Sequence, residues 1–129
     1  MLDGGNGDDS VAAGSGANTI LGGDGNDTLI AGTAQDPYGA DSILAGEGDD
    51  IVNASNGPNT VFGEGGNDLI TTFVGNGSNQ RLFGGEGADT LTSGTGDDFI
   101  DGGDGADSVD AGGATDTILG QGGNDTLVT

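Results

Sequence analysis

The sequence predicts an all-β solenoid of a single domain, residues 1–129, on three observations. Aliphatic residues recur at a fixed period, an acid or amide precedes each by two residues, and glycines crowd the segment before that. The aliphatic positions are Val11, Ile20, Leu29, Ile43, Val52, Val61, Ile70, Leu82, Leu91, Ile100, Val109, Ile118 and Leu127. Ten of the twelve steps between them are nine residues; Leu29 to Ile43 is fourteen and Ile70 to Leu82 is twelve, which places insertions near 31–40 and 72–80. A unit this short cannot bury its own apolar face, so it must stack on copies of itself. High glycine and high charge alone would suggest disorder, but a disordered chain has no reason to keep register.

Each unit follows from its residues in order. The glycines come first because a tight loop needs positive φ and close backbone approach. The acid or amide comes next: Asp9, Asn18, Asp27, Asp41, Asp50, Asn59, Asp68, Gln80, Asp89, Asp98, Asp107, Asp116 and Asp125. The aliphatic is the middle of a three-residue strand, whose alternation points it inward while its neighbours point out.

Composition excludes several functions. Twenty-two acidic residues face one basic residue, Arg81, for a formal charge of −21. Phosphates would be repelled, so nucleic acid is not a partner, and anionic lipid surfaces are disfavoured for the same reason. No apolar run is long enough for membrane insertion, and MLDGG has neither the basic start nor the apolar stretch of a signal peptide. The chain contains no His, Cys or Lys. The usual bases and activated nucleophiles are therefore missing, no phosphate loop can be completed, and the chain is not expected to be an enzyme. An oxygen-rich acidic chain without nitrogen or sulfur ligands suits a hard cation.

The unit reads Gly-Gly-x-Gly-x-Asp-x-aliphatic-x, with full matches in GGNGDDSVA, GGDGNDTLI, GGEGADTLT and GGDGADSVD. It resembles the RTX family of calcium-binding nonapeptide repeats over nearly all of Gly4 to Val128. The resemblance implies a right-handed parallel β-roll of two short parallel sheets and about thirteen nonapeptide half-turns, with six-residue loops, three-residue strands and Ca²⁺ between consecutive loops on the same side.

Successive repeats then fall on opposite sides, and the sequence splits into two unequal columns. One holds Asp9, Asp27, Asp50, Asp68, Asp89, Asp107 and Asp125 without exception; we call it the aspartate side. The other, the mixed side, carries Asn18, Asp41, Asn59, Gln80, Asp98 and Asp116 and receives both insertions. Aspartates stacked about 5 Å apart would repel unless a cation lay between them. Ca²⁺ fits better than Mg²⁺, which holds its water and demands an octahedron. By the resemblance, the seven loops of the aspartate side enclose up to about six ions. Loop carbonyls of Gly5, Gly7, Gly23, Gly25, Gly46, Gly48, Gly66, Gly85, Gly87, Gly103, Gly105 and Gly123 are candidate co-ligands. Asp98 and Asp116 form an intact pair on the mixed side, and Asp41, between Asn18 and Asn59, makes weaker sites. Amides there can close the turns without metal.

Asp8, Asp49, Asp97, Asp101 and Asp110 read as plain surface charge, and Tyr38 and Phe73, in or beside the insertions, as caps on the core. The resemblance implies a calcium-binding module of a secreted or cell-surface protein that is largely unfolded without calcium and rigid at millimolar calcium. A self-assembling subunit stacking end to end is the alternative, since Leu2 stands nine residues before Val11 and the last strand has no cover. An ice-binding roll ranks lower, because the outward loop positions form no regular Thr or Asn row.

Overall fold

The structure is a computed structural model that describes residues 1–32, 39–72 and 77–129. The middle parts of both insertions, with Tyr38 and Phe73, lie outside the described residues. Described residues form fourteen strands in chain order and no helix, so none is long and apolar enough to cross a membrane. One sheet contains β1 (Leu2–Asn6), β3 (Thr19–Asp24), β5 (Ser42–Glu47), β7 (Thr60–Gly65), β9 (Arg81–Glu86), β11 (Phe99–Asp104) and β13 (Thr117–Leu119). The other contains β2 (Ser10–Ala12), β4 (Thr28–Ala31), β6 (Ile51–Ala54), β8 (Leu69–Thr72), β10 (Thr90–Thr92), β12 (Ser108–Asp110) and β14 (Thr126–Val128). Every pairing joins a strand to the one two places on, and all are parallel: this is the expected alternation of sides.

The aliphatic period sets the register. Leu2, Ile20, Ile43, Val61, Leu82, Ile100 and Ile118 align rung by rung in the first sheet. Val11, Leu29, Val52, Ile70, Leu91, Val109 and Leu127 do so in the second. These two rows meet between the sheets, and the interior members from Ile20 to Val109 are fully buried. Leu2 adds a fourteenth position to the thirteen read from the period.

Strand length departs from expectation. Strands of the second sheet have three or four residues, but five of the first sheet run for six and β1 for five. The ladder continues into the first loop residues, pairing Gly23 with Gly46 and Asp24 with Glu47, for example. Beyond the strand end, the N–H of the next glycine donates to the carbonyl one coil on, as in Gly48 to Gly65 at 2.7 Å and Gly87 to Asp104 at 2.8 Å. Loops on the aspartate side are thus an extension of the sheet. On the mixed side, beyond the strand ends, the described loops continue the ladder only at an isolated bridge, Thr95 with Gly113.

Candidate metal centre

The sixth loop residue immediately precedes a strand of the second sheet, so parallel pairing stacks the seven aspartates in one line. Each carboxylate between coils does two things. Its Oδ1 accepts the backbone N–H of the aspartate one coil earlier: Asp9 N–H to Asp27 at 2.8 Å, Asp27 to Asp50 at 2.7 Å, Asp50 to Asp68 at 2.9 Å, Asp68 to Asp89 at 2.8 Å, Asp89 to Asp107 at 2.9 Å and Asp107 to Asp125 at 3.1 Å. Its Oδ2 is left over. In Asp9, Asp27, Asp50, Asp68, Asp89 and Asp107 this oxygen is buried and has no hydrogen-bond partner. Buried polar atoms are nearly always satisfied, and a repeated exception on one face points to a missing ligand.

Space around these atoms is defined by absent side chains. A Cβ on Gly22, Gly63 or Gly84 would overlap both the Oδ2 of its own loop's aspartate and the carbonyl oxygen at the start of the next loop. Carboxylate and carbonyl oxygen therefore converge where glycine keeps the backbone bare. Candidate carbonyls at the second and fourth loop positions face the next coil in the same way. The Gly5 and Gly23 oxygens lie where a Cβ on Gly23 and Gly46 would stand, and those of Gly7, Gly25, Gly48, Gly66, Gly87 and Gly105 are set likewise against the following glycine. Among the described residues no three acidic side chains come together as a cluster that could hold a metal ion. The donor set is instead one carboxylate per loop plus backbone carbonyls, a hard, all-oxygen set drawn from neighbouring loops. That set fits Ca²⁺.

Burial also makes several of these carboxyls weaker acids. The Asp68 carboxyl is pushed up to about 7 by desolvation first, with the charges of Asp89, Asp50 and Asp49 adding to it. Asp50 and Asp89 are raised by the same causes, and Asp98 by burial and the Asp116 charge. A carboxyl whose folded value lies above its unfolded value of about 4 binds more protons in the folded state, so its contribution favours the fold at low pH and is lost on the way to about 7. In calcium-free buffer the β-signal by circular dichroism is expected to be larger at pH 5 than at pH 8. A signal that is flat or grows with pH would show that the buried carboxylates do not oppose folding.

The mixed side uses the same backbone-to-side-chain ladder with a different second atom. Asn18 N–H donates to Asp41 at 2.8 Å, Asp41 to Asn59 at 2.9 Å, Asn59 to Gln80 at 3.1 Å, Gln80 to Asp98 at 2.7 Å and Asp98 to Asp116 at 3.0 Å. Where an amide replaces the carboxylate, its NH₂ turns onto loop carbonyls. Asn18 donates to Gly14 and Gly16 and Asn59 to Ser55 at 2.7 Å, each in its own loop, while Gln80 donates to Ser78 at 3.1 Å in its own loop and to Gly57 at 2.8 Å one coil earlier. Asp41 finds a partner for its second oxygen in the Ser55 hydroxyl at 3.1 Å. Among the described residues of this side, only Asp98 and Asp116 keep a buried, unpartnered Oδ2. Hydroxyls also replace the first glycine here: Thr72 bonds the Ser93 carbonyl and Ser93 that of Ala111.

A second ladder went unread in the sequence. At the fifth loop position, side chains accept from the following coil: Asn26 N–H to Asp8, Asp49 to Asn26, Asn67 to Asp49 and Ala88 to Asn67. Its direction is opposite to that of the aspartate ladder. Asp8 and Asp49 are therefore not plain surface charge, and neither are Asp97, Asp110 and Asp101, which accept from Thr115 N–H, Gly112 N–H and the Gln121 amide. The signal was available in the Asp-Asn alternation of every second repeat, but Ala88 and Ala106 interrupt it.

Fold and loops together define a parallel β-solenoid with a line of buried carboxylate oxygens along one side. The chain belongs to the RTX calcium-binding nonapeptide repeat family, whose model matches it four times, at residues 3–36, 38–70, 74–109 and 93–127. Comparison with curated proteins and with solved structures gives no match. RTX repeats of this kind bind Ca²⁺ and are a structural rather than an enzymatic family.

Proposed function

We propose that the chain is a calcium-folded module of a secreted or cell-surface protein, with no catalytic role, in which up to about six ions lie between the coils of the aspartate side. One observation carries this reading: six successive buried Oδ2 atoms without partners, in line with bare glycine carbonyls. Without a cation these oxygens form a line of desolvated like charges, which opposes folding. A cation between coils reverses the sign of that term and contributes its binding free energy to the fold. Asp98 and Asp116 would hold one further ion on the mixed side, while Asp41, satisfied by Ser55, would hold little. A calcium-rich medium outside the cell suits such a module. Calcium stoichiometry by equilibrium dialysis tests the reading: several ions per chain are expected, and one or none would sink it.

The amides of the mixed side make a second test. In place of an ion, the NH₂ groups of Asn18, Asn59 and Gln80 satisfy the loop carbonyls. Asn59→Asp removes the bond to Ser55 and buries a charge beside Asp41. The metal-free chain is expected to lose about 1–3 kcal/mol and to need more calcium to fold. Thermal melting at low calcium would measure this, and an unchanged melting temperature would contradict the role of the amides.

Stacking of a further coil is favoured by one feature. Leu127 and Val128 are 45% and 50% exposed, although Val109, aligned with Leu127, is buried. Either more chain or a second copy would cover them. Sedimentation velocity of the calcium-loaded chain distinguishes long assemblies from a monomer.

A further inference from the structure

The outer face of the first sheet carries a row of side chains that neither the core nor the ion column uses. Leu21, Leu44, Phe62 and Phe83 stand on four consecutive strands in direct register. Leu44 and Phe62 are more than a third exposed. Phe62 and Phe83 stack with centroids 4.7 Å apart and rings 9° from parallel, and Phe99 packs beside Phe83 at 5.7 Å. On the other sheet the corresponding row breaks after two rungs, Ala12 and Ile30 being followed by Asn53, Thr71, Thr92 and Asp110. Its other outward row is apolar only at Ile51 and Leu69, between Thr28 and Thr90.

The two flanks of the apolar row differ in charge. On the loop side runs a parallel row of exposed carboxylates, Asp24, Glu47, Glu86 and Asp104, interrupted by Gly65 between Glu47 and Glu86. Gly23, Gly46 and Gly85 lie between the two rows and leave troughs on either side of Glu64, which takes the same register position on β7. One stretch of about 260 Å³ is lined by Leu21 and Leu44 on one wall and Asp24 and Glu47 on the other, over Gly23 and Gly46. A second stretch of about 310 Å³ lies between Phe83 and Asp104. The opposite flank is uncharged Thr19, Ser42 and Thr60 up to Arg81, whose guanidinium sits 5.7 Å and 5.1 Å from the Phe83 and Phe99 rings.

We propose that this face docks an amphipathic helix with an apolar stripe and Lys or Arg along one edge. The row crosses the strands along the roll axis, and the strands beneath it are already paired on both sides, so an added strand would find no backbone partner. Rungs repeat every 4.8 Å or so, close to the helical pitch of about 5.4 Å, and apolar residues on successive turns can meet successive rungs. Four rungs span about 15 Å, roughly three turns. Cations on one edge of that helix face the carboxylate row. This chain cannot supply them, since Arg81 is its single basic residue and already lies over rings. The occupant is therefore a different protein segment, recognised by a helix-in-groove mode.

The test uses the calcium-loaded full chain and a fluorescent Leu/Lys peptide of about 14 residues that forms an amphipathic helix. Anisotropy should report saturable binding. The double substitution Leu44→Ser with Phe62→Ser should weaken it about tenfold or more, as loss of central anchors does, with the calcium-induced circular dichroism unchanged. Glu47→Gln with Asp24→Asn should weaken it and flatten its salt dependence. Equal binding of a scrambled Leu/Lys peptide, or of the peptide to the Ser variant, would overturn the proposal in favour of unspecific attraction to an acidic chain. Equal binding of a Leu/Glu helix would remove the role of the carboxylate row. Self-association that disappears in the Ser variant would give the face to a second copy.

Discussion

Asp68→Ala is expected to raise the calcium concentration needed for folding by about tenfold or more, and Asp68→Asn to behave differently. The alanine loses two things at once. The Asp50 N–H, bonded to Asp68 Oδ1 at 2.9 Å, becomes an orphaned buried donor, at a cost of about 1–3 kcal/mol. The ligand oxygen shared by the coils on either side also disappears. Asparagine keeps the acceptor and, by analogy with Asn59, can turn its NH₂ onto a loop carbonyl. It also removes the carboxyl that burial pushes up to about 7. Asp68→Asn should therefore stabilise the metal-free roll at pH 8 while lowering the number of ions bound. Identical behaviour of the two variants in a calcium titration would contradict a shared backbone-and-ion role for this side chain.

Gly87→Ala should be as damaging without touching any ligand side chain. Gly87 has φ of 125°, and a Cβ there would overlap the Gly66 carbonyl oxygen, part of a backbone held by the ladder. Positive φ costs a non-glycine residue about 1–3 kcal/mol, and the overlap adds to it because the coil spacing cannot widen locally. A loss of about 3 kcal/mol or more is expected. Gly113→Ala is the control, since a Cβ there meets nothing within 4 Å; it should stay within about 0.5 kcal/mol. Denaturant unfolding at saturating calcium measures both.

The architecture was legible because the large core residue of every nine is Val, Ile or Leu; the first loop position also faces inward, as Ala31, Ala45, Ala54 and Ala111 do. Division into two columns followed from counting repeats by turns, and strand pairing places Asp9 to Asp125 on one side as that count requires. Three features escaped. Strand extension into the loops was hidden because glycine carries no propensity for it; the neighbouring coil imposes it. The fifth-position ladder was hidden because Asp and Asn in loops resemble solvated surface. The Leu21–Phe83 row was hidden because the ninth position alternates between two faces. Aligned at every second repeat, Leu21, Leu44, Phe62 and Phe83 form one row. For the mixed side, the sequence suggested that amides could close turns, and Asn18, Asn59 and Gln80 do make those bonds.

The most direct test of the account is the far-ultraviolet circular dichroism of the full chain at pH 8 through a calcium titration that starts in excess chelator. The account predicts little β-signal at the start and a cooperative rise to a plateau by millimolar calcium. A full β-signal in chelator, or no response to millimolar calcium, would contradict it.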